Sequence, residues 1–277
     1  MQEPLRVWLA LDPEQGVIRI LLNSQPIGLL LSGKQVRLDP QFAELKAITP
    51  ILAKLFSRMS DTLQTASYEI NALRAFDSGS AAAKQIPAER RARVQMGCGP
   101  HVRPGWLNID YRPDGALGYD AEAGFLNFDL RGSLPLPDAS VDLVFSSHFF
   151  EHILHHHAIS LLKDIRRTLK PGGAARFQMP DYEIAFRAYT NRDQKIYDDF
   201  VLRDALLNHM PAYARGWGDL MSRAIFEFYE HKYIWDRENL PIALKVAGFS
   251  AVTIDTMNPE IDNVSRDDAS FYVHAIA

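Results

Sequence analysis

The segment RVQMGCGPHVRPGWLNID, from Arg93 to Asp110, constrains the fold of this chain more than any other. It contains two short apolar runs, a glycine-containing turn between them, and an aspartate that closes the second run. In α/β sheets this order is typical of a strand, a ligand-binding turn and a second, parallel strand. Only nine residues, Gly97 to Gly105, separate the two runs, whereas a parallel crossover normally takes a dozen or more residues and a helix. The segment therefore predicts a nucleotide-type site with an unusually short connection.

After residue 90, strand-like runs alternate with helical patterns, which is typical of an α/β sheet. Strands are predicted at 93–96, 106–110, 125–130, 141–147, 174–179, 251–256 and 270–276. The clearest helix is predicted at about 150–169, where apolar residues share one face and the sequence KPGG follows. We therefore predict a Rossmann-like α/β fold with a seven-stranded, mostly parallel sheet, flanking helices and a helical cap insertion at about 182–235.

The first 90 residues have a different pattern. Residues 4–38 contain four short β-type runs separated by turn residues, which predicts hairpins. The spacing becomes helical from Pro40 to Phe76, and Pro50 either divides this helix in two or lies in the first turn of a second one. Small and polar residues at 77–90 indicate a linker. The predicted domains are an N-terminal α+β module at 1–78, a linker at 79–90 and an α/β domain at 91–277.

Composition excludes several classes of protein. The formal net charge of −4 argues against general nucleic-acid binding, which needs clustered basic residues. Cys98 is the single cysteine, so a reducing compartment is the simpler assumption. The longest apolar run, near Ile27–Leu31, is far too short to span a bilayer. We expect a cytoplasmic protein without a nucleic-acid or membrane partner.

The chemistry of the first turn depends on three residue types. Gly97 and Gly99 permit backbone angles and a close ligand approach that side chains forbid, although such turns also occur without a ligand. Asp110, at the end of the second strand, can accept two hydrogen bonds from a ribose diol. Asp129 ends a third predicted strand, where a carboxylate can accept a hydrogen bond from an adenine amino group. The cysteine between the glycines is expected to be a small packed side chain.

Further along the chain, the blocks LPLPDASVDLVFSSHFFEHI and LKPGG complete a recognisable set. Together with the first segment they resemble class I S-adenosylmethionine-dependent methyltransferases, in particular the type 11-like branch with GCGPxxRPGWxNxD and SSHxxEH motifs, over about residues 93–276. The resemblance implies S-adenosylmethionine as cofactor, S-adenosylhomocysteine as product, and a short loop in place of the first crossover helix. The implied cofactor-binding residues are Gln95, Gly97, Cys98, Gly99, Asp110, Tyr111, Asp129, Leu130, Ser146 and Ser147.

The sequence HFFEH, from His148 to His152, permits two interpretations. On one helix the two histidines would share a face, as in the inverted zinc-protease pattern. The surrounding motifs fit a methyltransferase without a metal, so no metal is expected. We predict His148, Glu151 and His152 as catalytic residues, with His148 either a base or a positioning residue. The predicted substrate-binding residues are Asp181, Tyr182, His231 and Tyr233.

The favoured function is O-methylation of a small-molecule or sugar-containing (glycan-type) metabolite by direct in-line displacement, because orienting donor and nucleophile supplies much of the rate. An alternative is N-methylation of a peptide or carrier-tethered substrate that the N-terminal module recruits. A His-x-x-Glu-His metalloenzyme is the least favoured reading. The N-terminal module could also pair two chains in a homodimer.

Overall fold

The computed structural model describes residues 7–12, 17–22, 25–31, 35–38, 49–203, 216–226 and 230–277, with side chains from residue 65 onward except 199–203. The chain divides into two compact units, Met1–Asn71 and Ala72–Ala277. The predicted helix start near Pro40 and the parts 204–215 and 227–229 of the cap insertion lie outside the described residues. Among the described residues, no helix is both long enough and apolar enough to cross a membrane.

In the first unit, the described strands form an antiparallel sheet in the order β1-β2-β3-β4. The strands are β1 (Val7–Asp12), β2 (Val17–Leu22), β3 (Gln25–Leu31) and β4 (Gln35–Leu38). Val7 lies opposite Leu22, and Gly28 lies opposite Leu38. Each strand pairs with the next in sequence, which confirms the predicted hairpins.

Helix α1 (Thr49–Ala83) continues beyond Phe76, where the helical sequence pattern ended. Pro50 lies in its first turn, where its missing N–H is not needed, so the second alternative for Pro50 is correct. The predicted linker is wrong over 79–83, because SAAAK favours a helix and Ala83 is buried in the core of the second unit. A short helix, α2 (Ala88–Arg91), occupies the end of the same segment. The boundary between the two units falls within α1, between Asn71 and Ala72.

The second unit contains an eight-stranded sheet in the order β11-β12-β10-β9-β5-β6-β8-β7. The strands are β5 (Arg93–Met96), β6 (Leu107–Asp110), β7 (Gly118–Asp120), β8 (Phe125–Asn127), β9 (Val141–Ser147), β10 (Leu169–Pro180), β11 (Ala251–Asp255) and β12 (Ser270–Ile276). The five strands from β10 to β8 are parallel, whereas β7 and β12 pair antiparallel. The predicted Rossmann-like, mostly parallel sheet is confirmed, with one strand more than the seven predicted. That strand is β7, whose three residues are too few to show a period.

The direction of the chain reverses at β5. The chain continues from β5 to β6 on one side, and β9 occupies the other side of β5. In open α/β sheets, ligands bind beyond the carboxyl ends of the strands at such a switch point. The segments after Met96 and after Ser147 therefore border the expected binding crevice.

A loop without a helix joins the parallel neighbours β5 and β6, as the short spacing predicted. The buried side chain of Asn108 organises this loop. Its Oδ1 accepts a hydrogen bond from Arg103 N at 2.8 Å, and its Nδ2 donates to Arg103 O at 3.0 Å and to Trp106 O at 3.2 Å. One amide thus satisfies backbone groups that a crossover helix would otherwise pair internally.

The predicted helix at 150–169 is divided in the structure. A single 3-10 turn covers Phe150–His152, and α3 (His155–Thr168) follows after a break at Ile153 and Leu154. His148 and His152 therefore do not lie on one α-helix, so the i,i+4 arrangement expected of an inverted zinc-protease motif is absent. The other helices are α4 (Tyr182–Asn191), α5 (Gln194–Arg203) and α6 (Trp217–Phe226) in the cap insertion, and α7 (Asn239–Val246).

Candidate cofactor and acceptor site

The glycine turn after β5 is shaped by two left-handed residues. Gly97 has φ +63°, and a Cβ at this position would lie 2.2 Å from the Phe149 ring. Gly99 has φ +53°, and nothing lies within 4 Å of the place where its Cβ would be. Glycine is therefore required at 97 both for conformation and for packing. At 99 it leaves an open backbone surface that a ligand can approach.

Asp110 closes the turn from the end of β6. Its Oδ2 accepts a hydrogen bond from Gly99 N at 2.6 Å, and its Oδ1 accepts one from Tyr111 N at 2.7 Å. Burial raises the pKa of this carboxyl, although the two N–H groups and the charge of Arg112 act in the opposite direction. Each carboxylate oxygen retains a further acceptor position, so a ribose diol can still bind. Arg112 Nη2 also donates to Gly99 O at 2.6 Å, which fixes the same turn from a second direction.

Three other residues implied as cofactor ligands lie next to this turn. Gln95 on β5 and Ser146 on β9 are buried, and their Oε1 and Oγ atoms have no hydrogen-bond partner among the described residues. Buried polar atoms are normally satisfied, so two such atoms on the strands that border the turn fit a site that a polar ligand completes. Cys98 is buried, and burial raises the pKa of its thiol to about 12, so it is a protonated packing group.

Asp129 and Leu130 lie beyond β8, which ends at Asn127 rather than at residue 130 as predicted. Arg131 Nε donates to Asp129 Oδ1 at 3.0 Å, and Arg131 Nη2 donates to Oδ2 at 2.8 Å. Leu130 is buried in the core. A contact from Asp129 to an adenine amino group would therefore have to share the carboxylate with Arg131.

His148 follows β9 with φ +48°, an uncommon conformation for a residue with a side chain. Its Nε2 lies 2.9 Å from Ser270 Oγ, and Ser270 Oγ donates its own hydrogen to Arg266 O at 2.5 Å. Because that hydroxyl proton is already used, Nε2–H is the donor and Nδ1 carries the ring lone pair of the neutral imidazole. The structure thus assigns the nitrogen of His148 that can accept a proton. Sequence reasoning missed Ser270, which lies 122 residues away.

Gln178 on β10 supports the same arrangement. Its Oε1 accepts from Ser147 Oγ at 3.0 Å, its Nε2 donates to Asn263 O at 2.9 Å, and Nε2 also lies 3.4 Å from Ser270 Oγ. Gln178 O accepts from His148 N at 2.9 Å. Gln178 was not predicted either, because a single glutamine inside a strand carries no motif.

Glu151 is at the centre of the second half of the site. Its side chain is fully buried, and its Oε1 lies 3.8 Å from His148 Nδ1 and 3.8 Å from His152 Nε2. The backbone of the same residue anchors a distant segment, because Glu151 O accepts from Lys232 N at 2.6 Å. Trp235 Nε1 donates to Phe150 O at 3.2 Å and fixes the other end of that segment.

These anchors bring His231 beside His152, with ring centroids 4.8 Å apart in an edge-on arrangement. Tyr182 Oη lies 3.1 Å from His231 Nδ1. Tyr233 packs against His155, with ring centroids 4.5 Å apart. The structure therefore brings together His152, Tyr182 and His231 from three segments of the chain.

The side chain of Asp181 has hydrogen-bond partners outside this group. Its Oδ1 accepts from Glu183 N at 3.2 Å as a helix N-cap, and its Oδ2 accepts from Arg237 Nη2 at 2.8 Å. One oxygen caps α4 and the other holds Arg237, so Asp181 joins these two segments.

Comparison with known proteins supports the class of domain. Residues 111–177 match the family described as a methyltransferase domain. A trans-aconitate 2-methyltransferase of Methylobacterium nodulans is 33% identical over 110 residues, which cover 35% of this chain and 42% of that protein. The chain thus matches less than half the length of this curated relative. The family match confirms the predicted resemblance to methyltransferases over residues 111–177, which run from just after β6 to within β10.

Solved structures with similar chains include a SAM-dependent methyltransferase from Archaeoglobus fulgidus, with a TM-score of 0.40, 15% identity, and coverage of 72% of this chain and 92% of that one. A possible histamine N-methyltransferase from Thermotoga maritima has a TM-score of 0.39 and 18% identity, with coverage of 80% and 98%. TM-scores and identities this low support no conclusion about the reaction.

Proposed function

We propose that the protein is an S-adenosylmethionine-dependent methyltransferase that methylates an oxygen of a small-molecule or sugar-containing acceptor. The observation that carries the proposal is the arrangement at the switch point. An open glycine turn, a carboxylate at the end of the neighbouring strand and a histidine with an assigned proton-accepting nitrogen border one crevice. The family match across residues 111–177 favours methyl transfer over other nucleotide chemistry at such a site.

The cofactor would be held by the β5–β6 half of the crevice. The backbone at Gly97 and Gly99 would approach it closely, Asp110 would accept the ribose hydroxyls, and Gln95 Oε1 would gain a polar partner. S-adenosylmethionine supplies a methyl group already activated on a sulfonium centre. The protein therefore has to exclude water, align the acceptor and remove one proton.

His148 would remove that proton. Ser270 and the left-handed backbone orient its ring, with the lone pair on Nδ1. For a hydroxyl acceptor, Nδ1 would take the O–H proton as the acceptor oxygen bonds to the methyl carbon. The bound cofactor would supply the activated methyl group and keep the electron pair of the S–C bond on sulfur, so that the products would be S-adenosylhomocysteine and a methyl ether.

The acceptor would lie between this histidine and the cap insertion, against Glu151, His152, Tyr182, His231 and Tyr233. A small acceptor agrees with the named substrate of the partial relative, trans-aconitate. The charge of −4 supports the absence of a nucleic-acid partner, and a cytoplasmic location remains part of the proposal. Edge strands β1 and β4 of the first unit offer a pairing surface for a homodimer, which light scattering of the full chain would test.

The test is a methyl-transfer assay with isotopically labelled S-adenosylmethionine and a panel of sugars, hydroxy acids and amines. Mass spectrometry would locate the added methyl group, and release of S-adenosylhomocysteine would give the rate. The proposal expects the labelled methyl group on an oxygen of the acceptor, and slower turnover by Asp110→Ala at limiting S-adenosylmethionine. Transfer to nitrogen of a peptide or carrier-bound substrate would favour the recruitment alternative and contradict O-methylation of a free acceptor.

A further inference from the structure

The group around Glu151 has the ligand types of a divalent-metal site. Glu151, His152 and His231 each offer one ligand atom, and the three atoms lie within 4.8 Å of one another. Two imidazoles and one carboxylate form a set that suits Mn²⁺, Fe²⁺, Co²⁺ or Zn²⁺ and leaves coordination positions open. Two of the residues come from the turn after β9, and His231 comes from the last part of the cap insertion. The sequence pattern His-x-x-Glu-His therefore contains only two of them.

Glu151 is the fully buried member of the three, and a cation next to a buried carboxylate offsets part of the cost of its burial. His152 Nε2 lies 3.8 Å from Glu151 Oε1. Neighbouring ligands of one ion are about 3–3.5 Å apart when metal–ligand bonds are about 2.1 Å. The Glu151–His152 pair would have to close by about 0.3–0.8 Å to reach that spacing, and a pair at the 4.8 Å limit by about 1.3–1.8 Å.

Tyr182 supplies a contact typical of metal-binding histidines. Such a histidine usually donates its second ring N–H to a fixed acceptor, which selects the tautomer and the ring orientation. Tyr182 Oη lies 3.1 Å from His231 Nδ1 and can accept that hydrogen, so Nε2 would carry the lone pair. The main chain is fixed on the same side, because Lys232 N and Tyr233 N both donate to Glu151 O, at 2.6 and 3.3 Å.

We infer that Glu151, His152 and His231 bind a divalent transition-metal ion whose open positions take oxygen atoms of the acceptor. The inference rests on the proposed function, because the ion would act on the acceptor of the methyl transfer. Adjacent open positions favour an acceptor with two neighbouring oxygens, such as a vicinal diol or a hydroxy acid.

The ion gives the acceptor hydroxyl a reason to ionise. A metal-bound hydroxyl loses its proton more readily because the positive charge stabilises the alkoxide. The proton that leaves would go to the base of the proposed function. The oxygen then forms the bond to the methyl carbon, and the S–C electron pair leaves with S-adenosylhomocysteine. No oxidant or further reactant is needed.

Metal binding can be measured without any turnover. Untagged, chelator-treated full chain would be titrated with MnCl₂ and with ZnCl₂ by calorimetry, with Mn²⁺ paramagnetic resonance as a second readout. We expect one ion per chain, with affinity reduced at least a hundredfold in Glu151→Gln and in His231→Ala. Tyr182→Phe should lose about tenfold, as loss of a hydrogen bond to a ligand does. His156→Ala, an exposed histidine on α3, is the matched control and should bind like wild type.

S-adenosylhomocysteine binding by the same samples separates the two proposals. Variants that bind the nucleoside normally but have lost the ion support the metal site, and they show that the chain is folded. Wild type that binds the nucleoside and no ion overturns the metal site alone. Wild type that binds the ion and no nucleoside overturns the proposed function alone. Equal ion affinity in wild type, Glu151→Gln and His231→Ala overturns the ligand assignment.

Discussion

The two halves of the crevice are assembled in different ways. In the proposed cofactor half, Gly99 lies in the turn after β5, and Asp110, 11 residues later, ends the neighbouring strand β6. In the acceptor half, Tyr182 and His231 are 49 residues apart, and His148 and Ser270 are 122 apart. Site residues that are close in sequence form recognisable motifs, because one short loop fixes the number of residues between them. Contacts between distant segments depend on the whole fold, so the sequence spacing of the two contacting residues forms no motif.

This contrast predicts that the two halves can be damaged independently. Variants of the cofactor half should lose S-adenosylhomocysteine affinity, whereas variants of the acceptor half should keep that affinity and lose turnover. An acceptor-half variant that loses nucleoside affinity, or a cofactor-half variant that keeps it, would contradict this contrast.

The largest effect is expected at His148. His148→Asn keeps a side chain that tolerates φ +48° but removes the proton acceptor. We expect kcat to fall about 10²- to 10⁴-fold, with the affinity for S-adenosylhomocysteine unchanged. Stopped assays over a range of acceptor concentrations would measure it, with His156→Asn as control. A rise in KM at unchanged kcat would make His148 a positioning residue instead of a base.

The next effect is expected at Gly97. Gly97→Ala places a methyl group 2.2 Å from the Phe149 ring and forces φ +63° on an alanine. Together these should cost about 2–4 kcal/mol of stability and abolish nucleoside binding. Gly105→Ala is the matched control, since Gly105 has φ +80° but nothing within 4 Å of its Cβ position. Thermal unfolding and calorimetry of both variants would test this. Equal losses of stability and of nucleoside affinity in the two variants would show that the Phe149 contact is not the cause.

Ser270 should show a smaller effect of a positioning kind. Ser270→Ala removes the acceptor for His148 Nε2–H, which is worth about 1 kcal/mol, or roughly fivefold in kcat. Ser270→Thr retains a hydroxyl and should restore part of the rate, whereas nucleoside affinity should not change in either variant. The exposed Ser265→Ala is the control. A purely structural role would instead lower stability and rate together, without rescue by threonine.

The last expected effect concerns the pH dependence of nucleoside binding. Burial raises the pKa of Asp110 in the free protein, and ribose hydroxyls bind its ionised form better. Binding therefore releases a proton below that raised pKa, and affinity should increase with pH, by at most about tenfold per unit, until the carboxyl is ionised. Calorimetry from acid to neutral pH would show this rise. A flat profile in wild type, matching that of Asp110→Asn, would mean that the carboxylate does not contact the ligand.

Much of the fold follows from sequence patterns. Seven strands of the large sheet and the four N-terminal strands were predicted because their apolar runs and turn residues are local. The predicted linker is wrong over 79–83, since small residues such as those around Ala83 suit a helix as well as a loop. The single helix at 150–169 was also wrong, because nothing in HFFEH indicates the left-handed turn at His148.

The candidate site divides along the same line. The glycines and Asp110 could be placed because a short loop joins two adjacent parallel strands. The supporting residues Gln178 and Ser270 could not, because their roles depend on the pairing of β10 with β12. His231 was recognised through the resemblance, but its position beside His152 depends on the contacts of Lys232 and Trp235 with the turn after β9.

The most direct test of the account is calorimetric titration of S-adenosylhomocysteine into wild type, Asp110→Ala and Asp142→Ala. Asp142 is an exposed carboxylate near the amino end of β9, away from the crevice edge. Loss of the diol contact at Asp110 should cost about 1.5–3 kcal/mol, roughly ten- to a hundredfold in affinity, while Asp142→Ala binds like wild type. No binding by folded wild type, or equal binding by Asp110→Ala, would contradict the placement of the cofactor at the switch point.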